Sequence, residues 1–325
     1  MARPEVTTTL DPLVRRINDT MAGLLARDEE AVARVSGYSF EGGGKRLRPL
    51  LFCLVTEALG VELTTERLET AVSFELLHMA TLLHDDIVDL AVLRRGREAA
   101  HLVFGVPEAI LAGDYLLAKA SLLASRTGNI ECVKIMSKVV GALSLGELVQ
   151  LGARRQVDLS EEDYFKIIYR KTAILMEGAA RTAAVLAGSR GPELEAAVVY
   201  GRQFGLAFQI MDDILDYQGD QATFGKPVGH DLDEGKITLP FIRAREALSD
   251  DRRERLCELA GSEHLTAQDH EEIRELVNRG GGVISARIKA DELAHEALFA
   301  LDRLPPTPAR DHLKTLARDS AARRN

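Results

Sequence analysis

The chain has no tryptophan, few cysteines and more acidic than basic side chains. Its 3 cysteines, Cys53, Cys132 and Cys257, are odd in number and widely spaced, which fits neither a disulfide framework nor the spacing of zinc ligands. We therefore expect core thiols in a reducing compartment. The formal net charge of -9 argues against a nucleic-acid partner, although it permits a local basic pocket.

Long uncharged apolar runs are also missing. A membrane-spanning helix needs about 20 such residues, and no segment of the sequence approaches that length. The opening residues, MARPEVTTTLDPLVRRINDTMAG, carry charges throughout and lack the apolar core of a secretory signal. We therefore predict a cytoplasmic protein without stable membrane insertion.

Helical periodicity dominates the chain from about residue 8 to residue 320. Apolar residues recur at three- and four-residue spacing, and strict alternation over the length of a strand is hard to find. The breaks between these segments are too short to read as interdomain linkers. The sequence predicts one all-α domain over residues 1–325, a bundle of long, mostly antiparallel helices. Expected helix starts are Thr64 or Thr65, Pro107, Ser160 with Asp163, and Pro192.

Two acidic pentapeptides, DDIVD and DDILD, interrupt this apolar helical pattern. Residues four apart lie on the same face of a helix, so we expect Asp85 beside Asp89 and Asp212 beside Asp216. An acidic helix face is usually solvated, but leucine, isoleucine, valine and methionine surround these two. Because crowded carboxylates repel each other, each cluster is predicted to receive a multiply charged cation.

Magnesium is the cation that fits two such clusters facing each other. It prefers oxygen ligands and is usually held by one or two carboxylates together with substrate phosphates. A closed calcium cage fits less well, because the EF-hand loop pattern is missing.

Basic residues lie close to both acidic clusters and narrow the choice of ligand. Arginine clamps a phosphate through two parallel hydrogen bonds, and lysine supplies a mobile charge. Their placement predicts two diphosphate sites. One diphosphate is bound through magnesium, and the other is bound directly by cationic side chains. The glycine run lacks the spacing of a P-loop. The basic residues are Lys45, Arg46 and Arg48 after that run, Arg94 and Arg95 after the first cluster, and Lys226 and Lys236 around the loop after the second.

These motifs together resemble the trans-isoprenyl diphosphate synthases of the polyprenyl synthetase family. The resemblance covers nearly the whole chain: GGGKRLRP, FELLHMATLLHDDIVD with LRRG, GELVQL, YRKTAILME and FQIMDDILDYQGDQATFGKPVGHDLDEGKITLP each match a motif of the family. The resemblance implies an all-α isoprenoid synthase fold with a central cavity. It also implies a magnesium-dependent prenyltransferase that condenses an allylic diphosphate primer with isopentenyl diphosphate.

The resemblance also assigns roles to individual residues. Asp85, Asp89, Asp212 and Asp216 would hold Mg²⁺ on the allylic diphosphate, with Asp86 and Asp213 in support. Arg94, Lys171, Lys226 and Lys236 would bind the same diphosphate, with Thr172 and Gln209 nearby. Lys45, Arg48, His78 and Arg95 would bind the diphosphate of isopentenyl diphosphate.

Product length is expected to depend on the residues that precede the first cluster on its helix. One turn spans ~5.4 Å, roughly one isoprene unit. Ala80 and Thr81 lie one turn before Asp85, where a bulky aromatic side chain stops elongation early in this family, and Leu76 and Leu77 lie two turns before it. Because Ala80 and Thr81 are small, we predict a product longer than geranylgeranyl diphosphate.

Two stretches depart from the family pattern. Leu90, Ala91 and Val92 replace a polar stretch, and GREAAH (residues 96–101), which departs from the family over Arg97 to His101, replaces a more typical glycine-lysine-proline-threonine-alanine-asparagine run. These changes leave the predicted metal and arginine positions intact. They leave open the alternative that the chain is a weakly active or non-catalytic subunit of a two-component synthase.

Two catalytic alternatives remain open at this point. A metal-dependent phosphohydrolase could use the pair His84 and Asp85, with His78 or His101 as further ligands, but it leaves the second acidic cluster without a role. A terpene cyclase of related fold could share an acidic helix, but it needs no site for isopentenyl diphosphate.

The oligomeric state is expected to follow the family. The resemblance implies a homodimer, with EAILAGDYLLAKASLLA and the helix around ELVQL as candidate interface segments.

Overall fold

The computed structural model describes residues 5–218 and 229–322. The prediction of an all-α chain is confirmed over these ranges, with one short hairpin added. The elements are α1 (Glu5–Leu25), α2 (Glu30–Glu41), α3 (Leu47–Ala58), α4 (Thr65–Val88), β1 (Leu93–Arg94), β2 (Arg97–Glu98), α5 (Ala100–Phe104), α6 (Val106–Arg126), α7 (Ile130–Gly152), α8 (Glu161–Ile168), a π-helical turn (Tyr169–Ala173), α9 (Ile174–Leu186), α10 (Pro192–Gln218), α11 (His230–Asp233), α12 (Leu239–Ala247), α13 (Asp250–Ala260), α14 (Ala267–Arg279), α15 (Gly282–Ala300), a 3₁₀ turn (Leu301–Arg303) and α16 (Pro308–Ala321).

Close backbone contacts divide the chain into two compact units. Unit 1 comprises residues 1–140, 175–201 and 300–316, and unit 2 comprises residues 141–174, 202–299 and 317–325. The single domain predicted over residues 1–325 therefore stays a prediction. None of the helices in the described ranges is long and apolar enough to cross a membrane.

The predicted helix starts are confirmed, and local chemistry explains them. The Thr64 hydroxyl accepts a hydrogen bond from the backbone N–H of Arg67 at 3.3 Å, which caps α4. Ser160 caps α8 in the same way through Asp163, at 3.1 Å. Pro107 and Pro192 lie in the first turns of α6 and α10, where a missing N–H costs nothing.

Helix α4 forms the core of unit 1. It packs against α3 and α6, and the side chains of Phe74, Leu76 and Leu77 are at most 1% exposed. All three cysteines are free thiols, and Cys53 and Cys132 are buried as predicted, whereas Cys257 is only partly buried. The buried face of α4 fixes the direction in which its polar residues, which include Asp85, can point.

Unit 2 has its own apolar core. Ile210, Met211 and Ile214 of α10 are fully buried and belong to one cluster with Phe241 and Ile242 of α12. Ile210 and Met211 precede the second acidic pentapeptide and Ile214 lies within it, and Asp213 of this pentapeptide is itself 3% exposed, so the helix buries apolar side chains and a carboxylate next to each other.

Candidate functional site

The first acidic cluster lies at the C-terminal end of α4, and one of its members is outside the helix. The helix ends at Val88, and Asp89 is the residue that follows, with φ -89° and ψ 1°. Its backbone N–H still donates to the Asp85 carbonyl at 2.8 Å. The turn between Asp85 and Asp89 is therefore kept, although the sequence pattern predicted a helix through both.

Asp86 forms a salt bridge with Arg94. Its side chain is 4% exposed, and its Oδ1 accepts a hydrogen bond from Arg94 Nε at 2.7 Å and another from Arg94 Nη2. A charge-assisted pair of this kind fixes both side chains. Arg94, predicted as a diphosphate ligand, is thus held beside the first cluster by Asp86.

The strands β1 and β2 form a hairpin that the helical pattern gave no reason to expect. Leu93 pairs with Glu98 and Arg94 with Arg97. The two loop residues, Arg95 and Gly96, have φ of +53° and +76°, the signature of a type I′ turn. A non-glycine residue in this region is strained, and such strain is often kept at functional sites.

The glycine run before α3 makes room for Arg95. A Cβ on Gly44 would lie 3.1 Å from Arg95 Nη1, and Gly44 has φ +146°. The Arg95 guanidinium therefore packs against the main chain at Gly44, and a side chain at this position would hinder that approach.

Arg46, the basic residue of GGGKRLRP to which the resemblance assigned no ligand, makes buried contacts within the protein. Its side chain is 4% exposed and pairs with the equally buried Glu75 at 3.3 Å. It also donates to Asn18 Oδ1 at 2.9 Å and to the Phe40 carbonyl at 3.0 Å. These contacts use the Arg46 guanidinium to fix the segment that carries Lys45 and Arg48.

A cavity in unit 1 brings His78 together with arginines. His78, Asp86, Arg94, Arg95 and Arg46 all line it. Burial lowers the pKa of His78 well below its usual value, and the guanidinium groups of Arg48, Arg95, Arg94 and Arg46 lower it further. A neutral imidazole among arginines suits a multiply charged anion, and the diphosphate site at His78 and Arg95 stays a prediction from the sequence.

We expect anion binding to raise the pKa of His78. Without ligand, the imidazole stays neutral down through pH 6.5, because its pKa lies below that of an unperturbed histidine. Bound pyrophosphate offsets the arginine charges and favours the imidazolium. NMR titration of the His78 ring with and without pyrophosphate measures the shift, and His78→Gln identifies the resonance. A pKa of His78 that stays unchanged with saturating pyrophosphate contradicts this site.

A polar chain in unit 2 holds the second acidic cluster. Thr172 Oγ1 donates to Gln209 Oε1 at 2.6 Å, and Gln209 Nε2 donates to Asp213 Oδ1 at 2.8 Å. The Tyr164 hydroxyl donates to the other oxygen of Asp213 at 2.6 Å. Thr172 and Gln209, which were predicted to lie near the allylic diphosphate, are hydrogen-bonded to each other and share one network with Asp213.

The π-helical turn places Lys171 at this network. The turn spans Tyr169–Ala173 between α8 and α9, and π turns inside helices often mark functional sites. Lys171 Nζ lies 2.6 Å from Glu147 Oε2. Both Lys171 and Thr172 line a cavity of unit 2 together with Asp213, Asp231 and Lys236.

Asp216 caps the short helix α11. Its two carboxylate oxygens accept hydrogen bonds from the backbone N–H groups of His230 and Asp231, at 3.2 and 3.0 Å. Lys236 lies beside Glu234. Burial would raise the pKa of Glu234, but His230 and Lys236 outweigh it and lower that pKa to about 2. The turn around α11 therefore fixes the positions of Asp216, Asp231 and Lys236 relative to one another.

The carboxylates of unit 2 fit a cation. Burial and the neighbouring Asp231 raise the pKa of Asp213 well above its usual range, and the same two causes raise the pKa of Asp216 to about 6. Crowded acidic groups of this kind become favourable when a divalent ion joins them. Within residues 5–218 and 229–322, no group of three His, Cys, Asp or Glu side chains is arranged as a metal cage. Magnesium bound by few carboxylates and by substrate phosphates remains compatible with that finding.

The remaining predicted residues lie as follows. Ala80, Leu76 and Leu77 are buried on α4, and the half-buried Thr81 donates its hydroxyl to the His78 carbonyl at 2.9 Å. Lys226 lies outside the described residues.

Glu75, Tyr164 and Asp231 are among the cavity residues that were not predicted. Asp231 had a signal, since it lies in GHDLDEGK between two glycines of positive φ. Tyr164 had none, because an aromatic residue on the buried face of an amphipathic helix is normally core.

The side chain of His84 contacts helix α6. Its Nε2 lies 3.1 Å from the Ile110 carbonyl and 3.5 Å from Asp114 Oδ1. A carbonyl only accepts, so Nε2 carries the hydrogen and donates it. A Cβ on Gly113 would lie 2.3 Å from this nitrogen, so the glycine makes the approach possible. The geometry disfavours a phosphohydrolase built on His84 and Asp85.

Comparison with known proteins gives consistent results. The profile of the family described as polyprenyl synthetase matches residues 29–278. Octaprenyl diphosphate synthase of Escherichia coli is 36% identical over 304 residues, 93% of each chain. A short chain isoprenyl diphosphate synthase of Methanothermobacter thermautotrophicus is 38% identical over 294 residues, 89% of each chain. The crystal structure of a polyprenyl synthase from Caulobacter crescentus, complexed with calcium and isoprenyl diphosphate, superposes with a TM-score of 0.91 at 33% identity, covering 98% of this chain and 97% of that one.

Proposed function

The chain belongs to the polyprenyl synthetase family, and we propose that it is a prenyltransferase that elongates an allylic diphosphate primer with isopentenyl diphosphate. The family membership and the all-α isoprenoid synthase fold predicted from the motifs are confirmed. The product is an all-trans polyprenyl diphosphate longer than geranylgeranyl diphosphate. The observation that carries the proposal is the arginine-lined cavity around a neutral His78, which a terpene cyclase has no reason to possess.

The proposed reaction breaks a carbon–oxygen and a carbon–hydrogen bond, forms a carbon–carbon bond and shifts one double bond. The carbon–oxygen bond of the allylic diphosphate breaks and releases pyrophosphate, the double bond of isopentenyl diphosphate attacks the allylic carbon, and a proton passes from the new intermediate to the released pyrophosphate, which re-forms a double bond. Lys45, Arg48, His78 and Arg95 bind isopentenyl diphosphate and orient its double bond. No side-chain nucleophile is required.

The allylic diphosphate is assigned to the other basic residues. Arg94, Lys171 and Lys236 bind its phosphate oxygens, and Thr172 and Gln209 keep Asp213 in place. Asp85, Asp89, Asp212 and Asp216 would hold magnesium, which when bound neutralises the charge that builds on the departing diphosphate. Asp86 and Asp213 are each 3% exposed, so they act where water is excluded.

One assay tests the function and its alternatives. Purified protein is incubated with labelled isopentenyl diphosphate and farnesyl diphosphate, with magnesium or with EDTA, and the dephosphorylated lipids are sized. We expect lipids longer than geranylgeraniol with magnesium and none with EDTA. Lipids that end at 15 or 20 carbons contradict the chain length. Nucleotide hydrolysis without prenyl transfer indicates a phosphohydrolase, and inactivity of the isolated protein indicates a non-catalytic subunit.

Ala80→Phe is expected to shorten the product. Ala80 is 2% exposed on α4, five residues and ~7.5 Å of helix before Asp85. A benzyl group there occupies space that the growing chain needs one turn from the metal ligands. The same lipid sizing measures the change. Val88→Phe, beyond Asp85 on the exposed end of α4, serves as the control and leaves the length unchanged; an unchanged length in Ala80→Phe contradicts the assigned path.

We propose a homodimer in the cytoplasm. Helix α6 exposes Leu111 and Leu122, at 65% and 50%, and α7 exposes Leu148 at 67%. Exposed leucines on long helices are typical of subunit interfaces. Light scattering at micromolar concentration tests the dimer. The cytoplasmic location stays a prediction from the sequence.

A further inference from the structure

The segment from Gly229 to Lys236 carries two residues of the unit 2 cavity. Asp231 and Lys236 both line it, and the Asp216 carboxylate holds the start of the segment through backbone N–H groups. Asp216 belongs to the acidic cluster of α10. Two further residues, His270 and Arg155, hold the segment through other groups.

His270 holds the segment at its beginning and in its middle. Its Nε2 lies 2.8 Å from Asp233 Oδ1. Its other ring nitrogen packs against Gly229, where a Cβ would lie only 2.5 Å from Nδ1. Gly229 has φ +89°, so glycine is required both for the backbone conformation and for the approach of the imidazole.

Arg155 holds the end of the segment. Its backbone N–H donates to the Gly235 carbonyl at 2.7 Å, and its guanidinium donates to the carbonyls of Asp233 at 3.3 Å and Glu263 at 3.1 Å. A Cβ on Gly235 would lie 2.8 Å from Arg155 Cγ. Arg155 itself has φ +59°, a strained conformation that these contacts maintain.

Neither His270 nor Arg155 is among the residues that line the cavity. Their side chains instead contact Asp233 and main-chain carbonyls, so each acts on the cavity through the segment between Gly229 and Lys236. His270 follows a highly charged stretch, residues 250–269.

We propose that His270 and Arg155 are positioning residues that set Asp231 and Lys236 for the allylic diphosphate and its magnesium. The proposal rests on the proposed function and deepens it. Loss of either contact frees one end of the segment while leaving Lys171, Thr172 and Asp213 in place, since these belong to α8–α10 and the π turn between them. Binding of the allylic diphosphate then weakens, while binding of isopentenyl diphosphate is unaffected.

His270→Ala tests this proposal through a split between two Michaelis constants. We expect the KM of the allylic primer to rise about tenfold, because misplacement of a binding group by an ångström is costly, and the KM of isopentenyl diphosphate to stay unchanged. His270→Gln restores much of the primer affinity, because its amide N–H can donate to Asp233. His264→Ala, an exposed histidine of the same surface segment, is the matched control.

Two further measurements keep the proposal open to refutation. Arg155→Ala should give the same split, which guards against a His270 variant that folds poorly, and the melting temperature of each variant is recorded. Equal rises of both KM values, or no rise, overturn the positioning role. Binding of magnesium pyrophosphate by calorimetry compares wild type and His270→Ala independently of prenyl transfer. A wild type that elongates no primer refutes the proposed function, whereas equal pyrophosphate affinities of the two proteins refute the positioning role.

Discussion

Asp85→Ala is expected to lower kcat/KM for prenyl transfer by about 10³-fold. Removing a single charge-stabilising group from a preorganised site costs 10² to 10³ in rate in other enzymes, and Asp85 would also contribute to holding the metal. Asp85 is partly exposed near the end of α4, so its loss removes no buried apolar contact. The fold should therefore stay intact while the chemistry fails.

Asp114→Ala provides the matched control for this change. Asp114 lies on α6 of the same unit, its side chain is 59% exposed, and its distance from His84 Nε2 is 3.5 Å. The substitution removes the same charge and should leave kcat/KM within about twofold, since exposed pairs contribute little. Steady-state kinetics over a magnesium titration, with melting temperatures beside it, separates the two variants. An Asp85→Ala protein that keeps more than a tenth of wild-type activity contradicts the assigned role.

The elements of the fold followed from the sequence because local rules set them. The caps at Thr64 and Ser160 and the prolines that open α6 and α10 act within one turn of the chain, so a single segment contains the whole signal. The spacing of Asp212 and Asp216 is likewise a property of one helix, and Asp89 keeps its turn with Asp85 although α4 ends at Val88. These features need no knowledge of the tertiary structure.

The parts that could not be predicted depend on partners remote in the chain. Arg46 lies 29 residues from Glu75 and 28 from Asn18, so no local pattern indicated that these residues are its partners. The Tyr164 contact with Asp213 spans 49 residues. The hairpin at Arg94–Arg97 breaks local preference, since Arg95 adopts a positive φ that arginine disfavours. Tertiary contacts override propensity at these places, each of which lines the cavity of its own unit.

Glu75→Ala is expected to destabilise the protein by about 3 to 5 kcal/mol. Glu75 and Arg46 are 3% and 4% exposed and 3.3 Å apart, and breaking a buried pair leaves one charge without its partner in a low-dielectric interior. Asn18 and the Phe40 carbonyl still accept hydrogen bonds from Arg46, but neither carries a compensating charge. Urea unfolding of the wild type and the variant measures the difference in free energy of unfolding.

The double variant Arg46→Met with Glu75→Leu separates charge burial from packing. Apolar replacement of both members of a buried pair is often neutral or stabilising, so we expect it to recover most of the stability that Glu75→Ala loses. It should not recover function. Arg46 also fixes the main chain between Lys45 and Arg48, through Asn18 and Phe40, and methionine makes neither contact. The KM of isopentenyl diphosphate should therefore rise in the double variant while the protein remains folded. A double variant that is as unstable as Glu75→Ala shows that packing rather than the ion pair sets the stability, and one with an unchanged KM removes Arg46 from the positioning of Lys45 and Arg48.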